Sequence, residues 1–122
     1  MALEGLQVVG IGVSDHDQAL DFYVNKLGME KRMDQSWGEG NRFLTVGVPG
    51  DPTMIALNTG NDRVGEQTGF VFGATDPEAT AKELEGRGVE FVDPVSKREW
   101  GGTMGSFKDP DGNILAIHDS VA

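Results

Sequence analysis

The spacing of apolar and polar residues changes period several times along the chain, and each change predicts an element. Leu6 to Val13 is rich in valine, isoleucine and glycine and carries no charge, which predicts a strand. From about Asp15 to Leu27 the period lengthens to that of a helix, with Ala19, Leu20, Tyr23 and Leu27 on one face. Ser14 stands where an N-cap belongs, Asp17 three residues on suggests a capping box, and Gly28 supplies the stop. Extended segments are predicted at Met29 to Met33, Arg42 to Val48 and Met54 to Asn58, the last two parted by the turn Val48-Pro-Gly-Asp-Pro52.

The second half replays this order. A strand at Gly69 to Thr75 leads into Asp76-Pro77, a capping residue followed by proline at the first helical position. The helix is predicted to run to about Arg87, with Gly86 and Gly88 near its end. Strands are predicted near Val89 to Val92, Thr103 to Lys108 and Asn113 to His118, and Asp109-Pro-Asp-Gly-Asn113 joins the last two as a tight hairpin turn.

The halves align. Asp15 and Asp76 lie 61 residues apart, each preceded by a hydroxyl, Ser14 or Thr75. Met54-Ile-Ala-Leu-Asn58 aligns with Ile114-Leu-Ala-Ile-His118 at a shift of 60, and Trp37-Gly38 with Trp100-Gly101 at a shift of 63. The fold class is therefore α+β: two tandem βαβββ modules, about 6–58 and 69–118, forming a curved mixed-sheet cup. Neither module can bury its own sheet face well, so the two are expected to pack as a single domain over 1–122.

Strand residues alternate between two faces, which divides each strand into two sets. Val9, Ile11, Val13, Phe70, Phe72, Ala74, Ile55, Leu57, Leu115 and Ile117 form one set, expected under the helices. The other set holds Val8, Gly10, Gly12, Gly69, Val71 and Gly73, with Met54, Ala56, Asn58, Ile114, Ala116 and His118. A face this small either lets another backbone approach closely or encloses a hollow suited to a small molecule.

Charge and composition narrow the partners. Twenty acidic against ten basic residues give a net charge of −10, which repels phosphate backbones and argues against nucleic acid. It is compatible with a cationic guest. The chain has no cysteine, which removes disulfides, thiolate nucleophiles and cysteine metal sites together. No stretch is apolar enough to span a bilayer and no signal pattern opens the chain, so a cytoplasmic location without membrane contact is expected.

Val13-Ser-Asp-His-Asp-Gln-Ala-Leu-Asp-Phe-Tyr-Val-Asn-Lys-Leu-Gly28 together with Phe107-Lys-Asp-Pro-Asp-Gly-Asn113 resembles the vicinal-oxygen-chelate superfamily. That group includes glyoxalase I, bleomycin-resistance proteins, fosfomycin-resistance enzymes and extradiol dioxygenases. The resemblance covers about Leu6 to His118. It implies a divalent metal held in the cup by His, Gln or Glu side chains, at positions that fall here on Val8, Ala56, Gly69 and Ala116. None of those side chains carries a lone pair, so neither a metal nor another cofactor is expected. The resemblance also implies a homodimer.

The remaining candidates for chemistry lie near the rim of the cup. Alternation places His118 on its face, where it could bind a ligand or serve as the only candidate acid or base. Asn58 mirrors it in the first module. Trp37 and Trp100 occupy equivalent loops and could stack on a flat ligand, with Arg42 and Met104 beside them. His16, between two aspartates, is expected on the solvated surface rather than in a metal clip, and Lys82, Glu83, Glu85 and Arg87 on a solvated helix face. The sequence thus points to a metal-free binder of a small organic molecule, of the sequestration or resistance type. The alternatives are a lyase, isomerase or dioxygenase using a relocated metal or His118, and a non-catalytic oligomerisation or regulatory module.

Overall fold

The computed structural model describes residues 2–60 and 64–119. The chain divides into two compact units, the first ending at Val64 and the second beginning at Gly65. The first contains β1 (Val8–Gly12), α1 (His16–Asp21), β2 (Glu30–Ser36), β3 (Arg42–Gly47) and β4 (Met54–Asn58). The second contains β5 (Gln67–Ala74), α2 (Pro77–Gly86), β6 (Glu90–Lys97), β7 (Thr103–Lys108) and β8 (Ile114–Asp119). Their sheets have the same topology, β1-β4-β3-β2 and β5-β8-β7-β6, in which the first pair is parallel and the others antiparallel. The duplicated βαβββ pattern of the sequence is present in full.

In the first unit Asp15, not Ser14, caps the helix: its Oδ1 accepts from the Asp17 and Gln18 N–H groups at 2.9 and 3.3 Å. A carboxylate one residue nearer the helix also suits the positive end of its dipole better than a hydroxyl does. The helix then widens into a π-helical turn over Phe22–Lys26, where Leu27 N–H bonds to Phe22 C=O at 3.0 Å. This turn changes the expected buried face. Phe22 and Tyr23, adjacent in sequence, both point inward and meet edge-to-face at 5.3 Å, while Leu20 and Leu27 are only half-buried. Ile11, Val13, Ile55 and Leu57, which alternation assigns to the helix side, are buried with them, as are Leu44 and Val46 of β3.

The second unit follows its repeat closely at the helix start, where Asp76 caps α2 by accepting from Ala79 N–H and Pro77 occupies the first turn. Lys82, Glu83, Glu85 and Arg87 are exposed, as expected of a solvated face. Ala81, Leu84, Val89, Phe107, Leu115 and Ile117 form the core, with Phe91 tilted against Phe107 at 5.5 Å. The β7–β8 hairpin is closed by buried polar groups. Asp109 Oδ1 accepts from Asp111 and Asn113 N–H at 2.9 Å each, and its Oδ2 from Asn113 Nδ2 at 2.9 Å. Asn113 Oδ1 in turn accepts from Gly65 N–H at 2.8 Å, tying the start of the unit to the hairpin. The Asp-Pro-Asp-Gly-Asn motif is a structural clasp.

On the opposite face of the first sheet, β1, β4 and β3 bring Gly10, Ala56 and Thr45 into one row and Val8, Met54 and Gly47 into the next. The Thr45 hydroxyl accepts from Met33 N–H at 3.0 Å. The β2–β3 register slips between Lys31 and Met33, leaving Arg32 as the extra residue of a bulge. Arg32 lies flat over Gly47, where a Cβ would stand only 2.5 Å from its Cζ. In the second sheet the matching rows are Val71, Ala116 and Ser106, then Gln67, Ile114 and Lys108; Gly73, His118 and Met104 form the row on the other side of Ala116.

Candidate functional site

The second unit collects three of the sequence candidates on this small-residue face. His118, near the end of β8, pairs across the ladder with Met104 of β7 and Gly73 of β5. Its imidazole stacks on the Trp100 indole, with ring centroids 5.3 Å apart and planes 17° from parallel. The stack needs Gly102, since a Cβ there would run into both the indole and His118 Nε2. Trp100 remains 64% exposed, whereas the His118 side chain is only 18% exposed. His118 Nε2 lies 3.3 Å from Asp119 Oδ1, which also accepts from Thr103 N–H at 3.1 Å.

The loop carrying Trp100 is braced from both sides. Arg98 N–H bonds to Gly102 C=O at 2.7 Å, and Gly101 N–H returns to Arg98 C=O at 3.0 Å. The Arg98 guanidinium donates to Met104 C=O at 2.8 Å and to Asp93 Oδ2 at 2.9 Å. Sequence reasoning missed Arg98, Asp93 and Gly102. The signal available was a Gly-Gly pair after a tryptophan, which marks close backbone approach but not what approaches.

The first unit separates its candidates. Asn58 folds over the small-residue face, its Nδ2 2.9 Å from where a Cβ on Gly10 would stand. Trp37 is exposed in the β2–β3 turn, whose ends are joined by Trp37 N–H to Asn41 C=O at 3.0 Å. Arg42 instead reaches the helix side. Its Nε and Nη2 grip both oxygens of Asp34 at 2.8 and 2.9 Å, and Nη1 meets Asp17 of α1 at 3.1 Å. That grip holds the Asp34 carboxyl at about 2, below its usual 3.8, chiefly through the hydrogen bonds from Arg42, and raises Arg42 above its ordinary value.

Val8 and Ala56 lie in the small-residue rows described above, Ala116 in its counterpart, and Gly69 in β5 at a positive φ of 76° within an irregular stretch of the β5–β8 ladder. Among the described residues no three His, Asp or Glu side chains converge. His16 is half-buried rather than solvated, with Nε2 shielded and unbonded because the helix turns the ring inward. Asp15 and Asp17 are engaged by the helix cap and by Arg42. No described helix is long and apolar enough to cross a membrane.

Residues 5–117 match the family model of the glyoxalase/bleomycin resistance protein/dioxygenase superfamily. A member of that superfamily from Sphaerobacter thermophilus DSM 20745 is 36% identical and superposes with a TM-score of 0.90, covering 98% of this chain and 100% of its own. TnmS3, an antibiotic binding protein from Streptomyces sp. CB03234, is 31% identical with a TM-score of 0.88 and 99% coverage of both chains. The Bacillus subtilis (strain 168) protein YetH is 27% identical over 96% of this chain and 99% of its own. Family model, sequence and fold agree: the chain belongs to the glyoxalase/bleomycin resistance protein/dioxygenase superfamily.

Proposed function

We propose that this protein binds a small organic molecule on the small-residue face of its sheets and holds it without chemical change. The observation that carries the reading is Trp100, stacked on His118 yet 64% exposed, with His118 paired to Met104 across the β7–β8 ladder. An indole held this way is preorganised, so a flat guest loses little side-chain freedom on binding. The likeness to TnmS3, described as an antibiotic binding protein, supports the same reading. The residues do not fit a divalent ion: Val8, Ala56, Gly69 and Ala116 offer no donor, and the nearby Thr45 hydroxyl already accepts from Met33 N–H. The reading takes the chain as a single domain acting as a cytoplasmic homodimer, with no nucleic acid or membrane partner.

The test is a fluorescence titration with a neutral fused-ring probe, 1-pyrenebutanol, followed by chromatography of the recovered probe. Saturable binding that Trp100→Ala weakens about tenfold, with the probe recovered intact, is expected. Absence of binding, or equal binding by Trp100→Ala, overturns the reading. So does a stoichiometric nickel, zinc, manganese, iron or magnesium ion that raises the melting temperature. The His118–Asp119 contact favours a second reading, an acid–base enzyme, under which His118→Ala abolishes turnover while binding survives.

A further inference from the structure

The chain has only two histidines and no cysteine, so few of its groups can change charge between pH 5 and 8. One of the two, His118, is built into the stack with Trp100, its ring 5.3 Å from the indole and 17° from parallel. A neutral imidazole in that position contributes apolar and dispersion contact. An imidazolium adds the attraction of a cation for the negative face of the indole, which acts within roughly 6 Å of the ring centre. The same two rings therefore make a weaker or a stronger contact according to one proton.

That proton also changes the second contact of the imidazole. Nε2 lies 3.3 Å from Asp119 Oδ1, and protonation turns this contact into an ion pair. The carboxylate is itself fixed, since the same oxygen accepts from Thr103 N–H at the start of β7. The neighbouring strands add no titratable group: β7 sets Met104 opposite His118, and β5 sets Gly73. Among the described residues of the adjoining loop, Arg98 reaches Met104 C=O with a guanidinium already paired to Asp93, and Glu99 precedes Trp100. With its side chain 18% exposed, His118 is only partly screened by solvent.

Resting on the reading of Trp100 as the ligand contact, we propose that His118 is a positioning residue whose protonation tightens its hold on Trp100 and links binding at the indole to pH. Neutral His118 holds the indole through stacking alone. Charged His118 holds it through a cation–π contact and is itself braced on Asp119. The more firmly the indole is held, the less freedom it loses when a flat guest arrives. Binding is therefore strongest with His118 charged and weakens as the pH rises through its titration. Gly102 belongs to the same device, because a Cβ there would run into both rings.

Trp37→Phe leaves Trp100 as the only tryptophan, so its emission in the full chain reports on the stack before any probe is added. That emission is expected to change between pH 8 and pH 5.5. The neutral probe 1-pyrenebutanol is expected to bind about threefold tighter at pH 5.5, the scale of one cation–π contact at a partly exposed site. Both effects vanish in His118→Gln and in Gly102→Ala, which keeps both rings but forces them apart. They shrink in Asp119→Asn and survive His16→Gln. Flat emission and pH-independent binding overturn the proposal, as does a pH dependence that survives His118→Gln or is lost in His16→Gln. Equal Trp100-dependent binding at both pH values also overturns it, and leaves the ligand reading standing. Failure of pyrenebutanol to bind at either pH removes the ligand reading and the link to binding together, even where the emission of Trp100 still follows His118.

Discussion

Asp109 accepts three hydrogen bonds within a five-residue turn while only 3% exposed, and Asn113, 1% exposed, reaches back to Gly65. Burying a carboxylate costs several kcal/mol unless its acceptor sites are filled, and here local N–H groups fill them. Removing either side chain leaves donors in the interior with nothing to bond. Asp109→Ala is therefore expected to destabilise the chain by about 3 kcal/mol, and Asn113→Ala by about 2 kcal/mol, in urea unfolding. Asp109→Asn keeps an acceptor for the N–H groups but turns an amide against the Asn113 amide, so its cost falls between zero and that of the alanine. A smaller loss for Asp109→Ala than for an exposed control such as Asp51→Ala contradicts this account. The same residues belong to the motif by which the sequence resembles its family, and their role in the structure is to close a hairpin. Chemistry does not follow from that motif.

At the level of elements, Arg42 links β3 to β2 through Asp34 and to α1 through Asp17. Asp34 is held at about 2 against 3.8 for an ordinary aspartate, so the folded form binds its proton more weakly than the unfolded form does. Its stabilising contribution is complete above about pH 4 and is lost as the pH falls towards 2. Solvent reaches the pair, so the effect is small. The natural chain is expected to resist urea slightly better than Asp34→Asn at pH 7 and no better at pH 2. An advantage that persists unchanged at pH 2 assigns the difference to something other than this ionisation. Sequence placed Arg42 beside a ligand because it begins a strand next to the Trp37 loop, and position alone does not say which way a side chain turns. The strands Met54 to Asn58 and Thr103 to Lys108 were legible to the residue, because alternation and turn chemistry agree there. The π-helical turn was not, since 3.6-residue periodicity presupposes the regular helix that Phe22 and Tyr23 depart from. Stacking of Trp100 on His118 was likewise illegible, although both were candidates: 18 positions apart in sequence, they meet through the β7–β8 hairpin and the absence of a side chain at Gly102.

For the molecule as a whole, what the repeats leave uncovered decides the next level of organisation. Val8 and Val71, at 40% and 53% exposure, stand on the small-residue faces, and Leu3, Leu6 and Val48 are also exposed. Such side chains gain about 25 cal/mol for each Å² of apolar surface taken from water, which favours association wherever complementary faces can meet. A net charge of −10 opposes association through repulsion, and salt screens that repulsion without weakening apolar burial. A homodimer is therefore expected to show twice the 13.1 kDa chain mass in light scattering, and to persist at 0.5 M sodium chloride. If association also stabilises the fold, mass action links the two, and the midpoint of thermal unfolding rises with protein concentration. A single domain over 1–122 predicts one calorimetric transition, while independent repeats predict two. One transition whose midpoint climbs with concentration supports a single domain that folds as a dimer. One that stays fixed, with a monomer mass, overturns the dimer and leaves Val8 and Val71 exposed to solvent or a guest. Two transitions overturn the single domain, and each repeat would then have to be stable on its own core.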